Sequence, residues 1–277
     1  MTEPRQLDPY ASPMTFYGAE LRRLREAAGL TQSQLGERAF CSGTYVGQFE
    51  TAVRRPQPDT SRLFDEILGT GEHLQRLCRL ARKSRYPDYF ADVVELEMLA
   101  ATISEYSPVL VPGLLQTEAY ARGLTQATLP YADDDEVREL VAGRMDRSRR
   151  LDNPEAPEVW AILHEAALHV PVDGPKVMRD QLNHLIDLGL HHKRVIVQVV
   201  PYSAGPHPLM YGTTILMTSN EAPPVAYTEG AHTGQLIDEP ALVAKFNRSY
   251  DHVRAAALAP KASLALIESV AKDYKTP

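Results

Sequence analysis

The chain has 277 residues, 44% of them hydrophobic, and a formal net charge of −7, enough length and apolar content for two domains with their own cores rather than one small module. Its two cysteines, Cys41 and Cys78, stand in no CxxC or Cys/His spacing, so they read as reduced, buried thiols and not as zinc ligands. No apolar run approaches the roughly 20 residues of a membrane helix, and MTEPRQLDPYASPMT lacks the charged-then-apolar pattern of a secretion signal, so a cytoplasmic protein with no membrane partner is expected.

In chain order, residues 1–15 are polar, carry three prolines and read as a flexible arm. A helix follows from Phe16 to Ala28, with Leu21 and Leu24 apolar, Arg22, Arg23 and Arg25 basic, and Gly29 closing it. Thr31 caps a second helix running through Arg38, with Leu35 and Ala39 on its inner face. Ser42 caps a third from Gly43 to Glu50, with Val46 and Phe49 inward and Thr44, Tyr45 and Gln48 outward. Two short helices meeting across a tight break are the pattern of a helix-turn-helix. Short hydroxyls and an amide on the outer face suit entry into a DNA groove. Arg54, Arg55 and Pro56 make a basic turn, and helices over Asp59–Leu68 and Gly71–Lys83 complete a five-helix domain spanning residues 16–84.

The runs GAELRRLREAAGLTQSQLGERA, CSGTYVGQFE and RRPQPD resemble the Xre/Cro-type helix-turn-helix domain. In that family the motif's second helix lies in the major groove of double-stranded DNA while the start of the first helix and the following turn hold the backbone. Carried over, the resemblance implies Ser42, Thr44, Tyr45 and Gln48 as groove readers. It implies Thr31, Gln32, Arg54 and Arg55 as phosphate holders, the first two through a helix N-terminus. Gly43 and Gly47 depart from the pattern, since relatives usually carry side chains there. Each costs about 1 kcal/mol of helix propensity relative to Ala, so a close approach of backbone or DNA is expected at them.

The charge divides along the chain. Residues 1–86 hold 13 Lys and Arg against 10 Asp and Glu, a net of +3, and residues 87–277 carry the remaining −10; only the first part suits phosphate. A boundary is expected near Ser84–Pro87, where the basic run ARKSRY meets Pro87, making residues 85–277 a regulatory or partner-binding domain.

In that domain Asp88–Ser104 reads as a helix with a broad apolar stripe, broken by SPVLVPG, and helix resumes over Gln116–Leu124. A long helix over Asp133–Leu151 opens on Asp133, Asp134, Asp135 and Glu136, acid that complements the helix dipole and so reads as capping rather than metal binding. Strands are expected at Val159–Leu163, Val195–Val200, Thr213–Thr218 and Val225–Thr228, with helices over Gly174–Leu190, Glu239–Leu258 and Pro260–Tyr274. The fold class is therefore mainly α in the first domain and α/β, with a small sheet, in the second.

The phrases YSPVLVPGLLQTEAYAR, WAILHEAAL, GPKVMRDQLNHL, VIVQVVPYSAGPHP and SLALIESVAKDY resemble the uncharacterised C-terminal domain fused to Xre-type regulators in high-GC bacteria. That resemblance implies an antitoxin-like transcriptional regulator, one that senses a ligand or docks a small protein encoded by a neighbouring gene. The motif size and the need for specificity imply a homodimer on paired half-sites.

Enzymatic signatures are missing. His164, Glu165 and His169 are spaced HExxxH, which on a helix puts the histidines about 140° apart instead of on one face, so no metal is expected there. No GxSxG, Walker or GxGxxG motif stands in context, and neither an enzyme nor a cofactor is expected. His191 and His192, beside Lys193 and Arg194, read as a helix C-terminus. The loop Tyr202–Pro208 follows a buried-type strand and offers Tyr202, Ser203 and His207 as a ligand or partner site.

Overall fold

The computed structural model describes residues 8–274 apart from 11, 82–87, 221 and 231–232. The chain forms two compact units, residues 1–95 and 96–277. The expected boundary at Ser84–Pro87 lies outside the described residues, as do residues 1–7 and 11 of the expected arm.

The first unit is built from α1 (Pro13–Ala27), α2 (Gln32–Arg38), α3 (Gly43–Glu50), α4 (Pro58–Leu68) and α5 (His73–Ala81). Helix α1 begins ahead of Phe16 because Ser12 closes a reciprocal capping box with Thr15 and Pro13 occupies the first turn, where a missing N–H costs nothing. Leu21, Leu35, Val46, Phe49, Phe64 and Leu74 form the core with Tyr17 and Cys78. Within it the Tyr17 hydroxyl shares a 2.8 Å hydrogen bond with Ser61, which satisfies two buried polar groups at once. Helix α5 is capped from a distance. Asp65 of α4 accepts from the Leu74 and Gln75 amides and from the Thr70 hydroxyl. Burial works to raise its pKa, but these hydrogen bonds win and hold the carboxylate below its ordinary value.

Helix α6 (Asp88–Leu99) includes the division between the units, and the second unit continues with β1 (Thr102–Ser107), α7 (Glu118–Thr128), α8 (Asp134–Ser148), β2 (Glu158–His164), α9 (Pro175–His191), β3 (Val195–Val200), β4 (Thr213–Thr218), β5 (Val225–Gly230), β6 (Thr233–Ile237), α10 (Pro240–Ala256) and α11 (Pro260–Asp273). The six strands make one sheet in the order β3-β2-β1-β4-β5-β6. Strands β1, β2 and β3 are parallel, whereas β4, β5 and β6 add on antiparallel. This confirms the all-α and α/β organisation and corrects two elements. The expected helix over Asp88–Ser104 stops at Leu99, and Thr102–Ser107 is a central strand. Its signal was masked because polar Ser104, Glu105 and Ser107 stand in it, two of them at buried positions. The edge strand β6 was missed because Gly234 and Gln235 weaken its β pattern. Asp133 caps α8 through the Asp135 and Glu136 amides, as the acidic cluster led us to expect.

The parallel half sets the carboxyl ends of three strands side by side, and loops after parallel strands commonly form binding mouths. Tyr106, Ile162, Leu216 and Ala226 of the sheet pack with Val243, Tyr250 and Val253 of α10. Elsewhere in the unit Arg147 of α8 makes a buried two-pronged pair with Glu97, at 2.8 and 2.7 Å. Glu105 is buried too. Burial first, then the neighbouring Glu97 and Glu229 carboxylates, push its pKa up to about 8, with Arg147 opposing.

Candidate nucleic-acid interface

Helices α2 and α3 owe their contact to glycine. A Cβ on Gly36 would lie 2.7 Å from the Cys41 carbonyl oxygen, and one on Gly43 2.9 Å from backbone atoms of Ser33. The start of α3 therefore lies against the first turn of α2, and the two helix N-termini, with their unpaired N–H groups, stand together. The departure from the family pattern at Gly43 thus has a packing cause. Gly47 has a softer one, since its missing side chain leaves room for the Gln32 amide 3.2 Å away.

The residues expected to read or hold DNA fall into two sets. Thr31 and Ser42 are exposed N-caps, accepting from the Gln34 and Tyr45 amides. Thr44 is exposed, and Tyr45 and Gln48 are half-buried on the same side of α3. Arg54 joins them, with its guanidinium 4.3 Å from the Tyr45 ring centroid and Nη1 donating to Gln48 Oε1 at 3.4 Å. Gln32 is exposed as a residue, yet its Nε2 donates to Glu50 Oε2 at 2.8 Å. Arg55 requires a correction. It is 4% exposed, and its Nε and Nη2 donate to the Ala81 carbonyl, so its charge ties the turn after α3 to the end of α5 instead of facing solvent.

Sequence reasoning also missed what sets the angle of α3. Arg25, read as part of a basic face, is buried and donates to both oxygens of Glu50 and to the Leu30 carbonyl. The pair links α1, the α1–α2 turn and the end of α3, and Gln32 adds a third side chain to it. Only the distance of 25 residues between Arg25 and Glu50 hid it, since no local pattern reports such a contact. Arg22 is half-buried and Arg23 exposed, paired with Glu26 and Glu20 respectively; surface pairs of this kind contribute little.

At the carboxyl ends of the parallel strands lies a second group. The Tyr106 hydroxyl and His207 Nε2 are 3.0 Å apart, and the His207 ring is 6.2 Å from that of His164. Tyr202 stands edge-on to His164 and stacked on His169, while its amide donates to Glu165. His164 Nδ1 accepts from the Ala166 amide, so it ends β2 as a cap. Burial, then the nearby His164, lowers the His207 pKa, and burial raises that of Tyr106 to about 12. Of the three residues expected here, Tyr202 and His207 join this group through His164, and Ser203 is exposed beside them. Among the described residues no helix is long and apolar enough to cross a membrane.

Comparison with known proteins agrees with this division. Residues 17–78 match the family described as Helix-turn-helix domain, and residues 90–269 match Domain of unknown function (DUF5753). No curated protein and no solved structure matches the chain. With that second match covering well over half its length, the chain belongs to the DUF5753 family and carries a helix-turn-helix domain ahead of it.

Proposed function

We propose that the protein is a sequence-specific DNA-binding transcriptional regulator of the Xre/Cro type, acting in the cytoplasm as a homodimer on paired half-sites. The observation that carries the reading is the joint exposure of the α2 and α3 N-termini beside Thr44, Tyr45 and Gln48. Helix N-termini attract phosphate, and the side chains beside them suit base edges. Thr31 and the α2 amides are assigned to the backbone, Thr44 and Gln48 to the bases. Arg55 is left out of the contact set.

The second unit is assigned a regulatory role, with the mouth around His164, Tyr202 and His207 as its ligand or partner site and no catalytic step. A second reading makes that unit an antitoxin-like dock for a small protein from a neighbouring gene, with DNA binding serving autoregulation. One observation favours it: Tyr202, Met210 and Tyr211 are all exposed on the β3–β4 loop, and Tyr and Met are enriched in protein interfaces.

Selection of bound fragments from the source genome with the full-length protein tests the main reading. Recurrent palindromic sites, whose enrichment Gln48→Ala diminishes, are expected. Absence of enrichment at low salt contradicts it. Co-purification with a neighbouring small protein, lost in Tyr202→Ala and Tyr211→Ala, would favour the second.

A further inference from the structure

The turn after α3 does more than end the helix. Ala52 adopts a left-handed conformation at φ 55° and sends the chain back, and the Val53 and Arg54 amides both donate to the Gln48 carbonyl oxygen, at 3.0 and 3.1 Å. Arg54 is thereby started beside Gln48. Its side chain runs back along α3 and lays the guanidinium over the Tyr45 ring, which is itself packed edge-on against the buried Phe49 ring at 4.8 Å. The cation sits on a platform anchored in the core, and from there Nη1 reaches Gln48 Oε1.

This contact has a direction that chemistry fixes. A guanidinium has donors only, so the carboxamide must turn its oxygen toward Arg54; the flipped rotamer sets donor against donor. The Gln48 nitrogen then faces away, and among the described residues nothing accepts from it. We propose that Arg54 is a positioning residue for base recognition. By holding the Gln48 carbonyl it makes Gln48 a donor-only reader that selects guanine over adenine.

The preference follows from the major-groove edges. Adenine pairs two-pronged with a glutamine that offers both oxygen and nitrogen, through N6 and N7. With the oxygen turned toward Arg54, adenine keeps only its N7 acceptor and sets its N6 donor against the Gln48 nitrogen, whereas guanine offers both N7 and O6. Cytosine presents only a donor there and is refused. This inference rests on the DNA-binding reading above and adds which base the helix reads.

The test is a randomised-site selection with full-length wild type, Gln48→Ala, Arg54→Ala and Arg54→Lys, each checked for a folded-state melting transition. Gln48→Ala locates the position it reads, as the one whose preference disappears. At that position wild type is expected to favour guanine over adenine by at least about fivefold. Arg54→Ala, freeing the oxygen, should move the preference toward adenine, and Arg54→Lys, which still donates, should retain it. If wild type already prefers adenine there, or Arg54→Ala weakens all sequences equally and leaves that position unchanged, the positioning role is overturned while DNA recognition stands. If no sequence is enriched by any variant, the DNA-binding reading fails and this inference falls with it.

Discussion

Single residues carry several of the decisive contacts. Phe40, in the turn between α2 and α3, is 90% exposed and left-handed at φ 57°, a conformation that costs a side-chain-bearing residue roughly 1–2 kcal/mol. Glycine removes that cost and returns about half of it as unfolded-state entropy. Phe40→Gly should therefore stabilise the first unit by about 0.5–1 kcal/mol, read as a rise in melting temperature; a fall would mean that the ring makes a contact its exposure conceals. The buried Arg25–Glu50 pair gives the opposite sign. Glu50→Gln removes the buried two-pronged partner of Arg25 and leaves its charge only the exposed Glu26 carboxylate at 3.4 Å, and a loss of about 3 kcal/mol is expected by chemical denaturation. Neither effect was visible in sequence. The pair spans distant positions, and a phenylalanine where a helix-ending turn favours glycine carried no warning of its backbone angle.

At the scale of elements, the approach of α2 and α3 predicts a contrast between two glycines on one helix. By helix propensity alone, Gly43→Ala and Gly47→Ala should each stabilise by about 1 kcal/mol. At position 43 the new Cβ meets Ser33 backbone, which has no room to yield, so a net loss of about 1–3 kcal/mol and weakened DNA binding are expected. At position 47 it meets only the flexible Gln32 side chain, and the gain in propensity should survive. Equal effects at both sites, measured by thermal melts, would show that the helices are not in the contact described. The capped helices α2, α3 and α8 were legible because their signals are local: a hydroxyl or carboxylate, a short periodic run, a stop. Strand β1 was not, because its place in the centre of the sheet is decided by β2 and β4, which come later in the chain. The stretch before it continues the helical stripe of α6. Its buried Glu105 makes a further prediction. The folded state holds this proton up to about pH 8 while the unfolded chain releases it near its ordinary value, so the unfolded state binds fewer protons over that range. Stability must then fall as pH rises from about 4.5 to 8, by up to about 1.4 kcal/mol per pH unit. Glu105→Gln should flatten that slope in pH-dependent denaturation; an unchanged slope would contradict a buried, protonated Glu105. Glu229, also raised by burial, acts in the same sense and leaves a smaller residual slope.

Across the whole molecule, the division into a mildly basic stretch over residues 1–86 and an acidic remainder was readable from composition, and the strands β2 to β5 fell close to their expected ranges because β-branched runs bounded by Pro and Gly leave few alternatives. Which charges face solvent was not readable. Arg25 and Arg55 count toward the basic balance of residues 1–86 but are spent inside the first unit, leaving fewer cations for phosphate than the sequence total suggests. In the proposed reading recognition leans on the paired helix N-termini and the α3 side chains, and a modest salt dependence is expected for a DNA binder. The most direct measurement is the affinity of the full-length protein for its best selected fragment and for a scrambled fragment of the same composition, across a range of salt concentrations. The account predicts a preference of about a thousandfold or more for the selected site, reduced sharply by Thr44→Ala with Gln48→Ala, and a salt slope of only a few phosphate contacts. Equal affinity for the two fragments, or a preference untouched by the double substitution, would contradict the claim that α3 reads DNA.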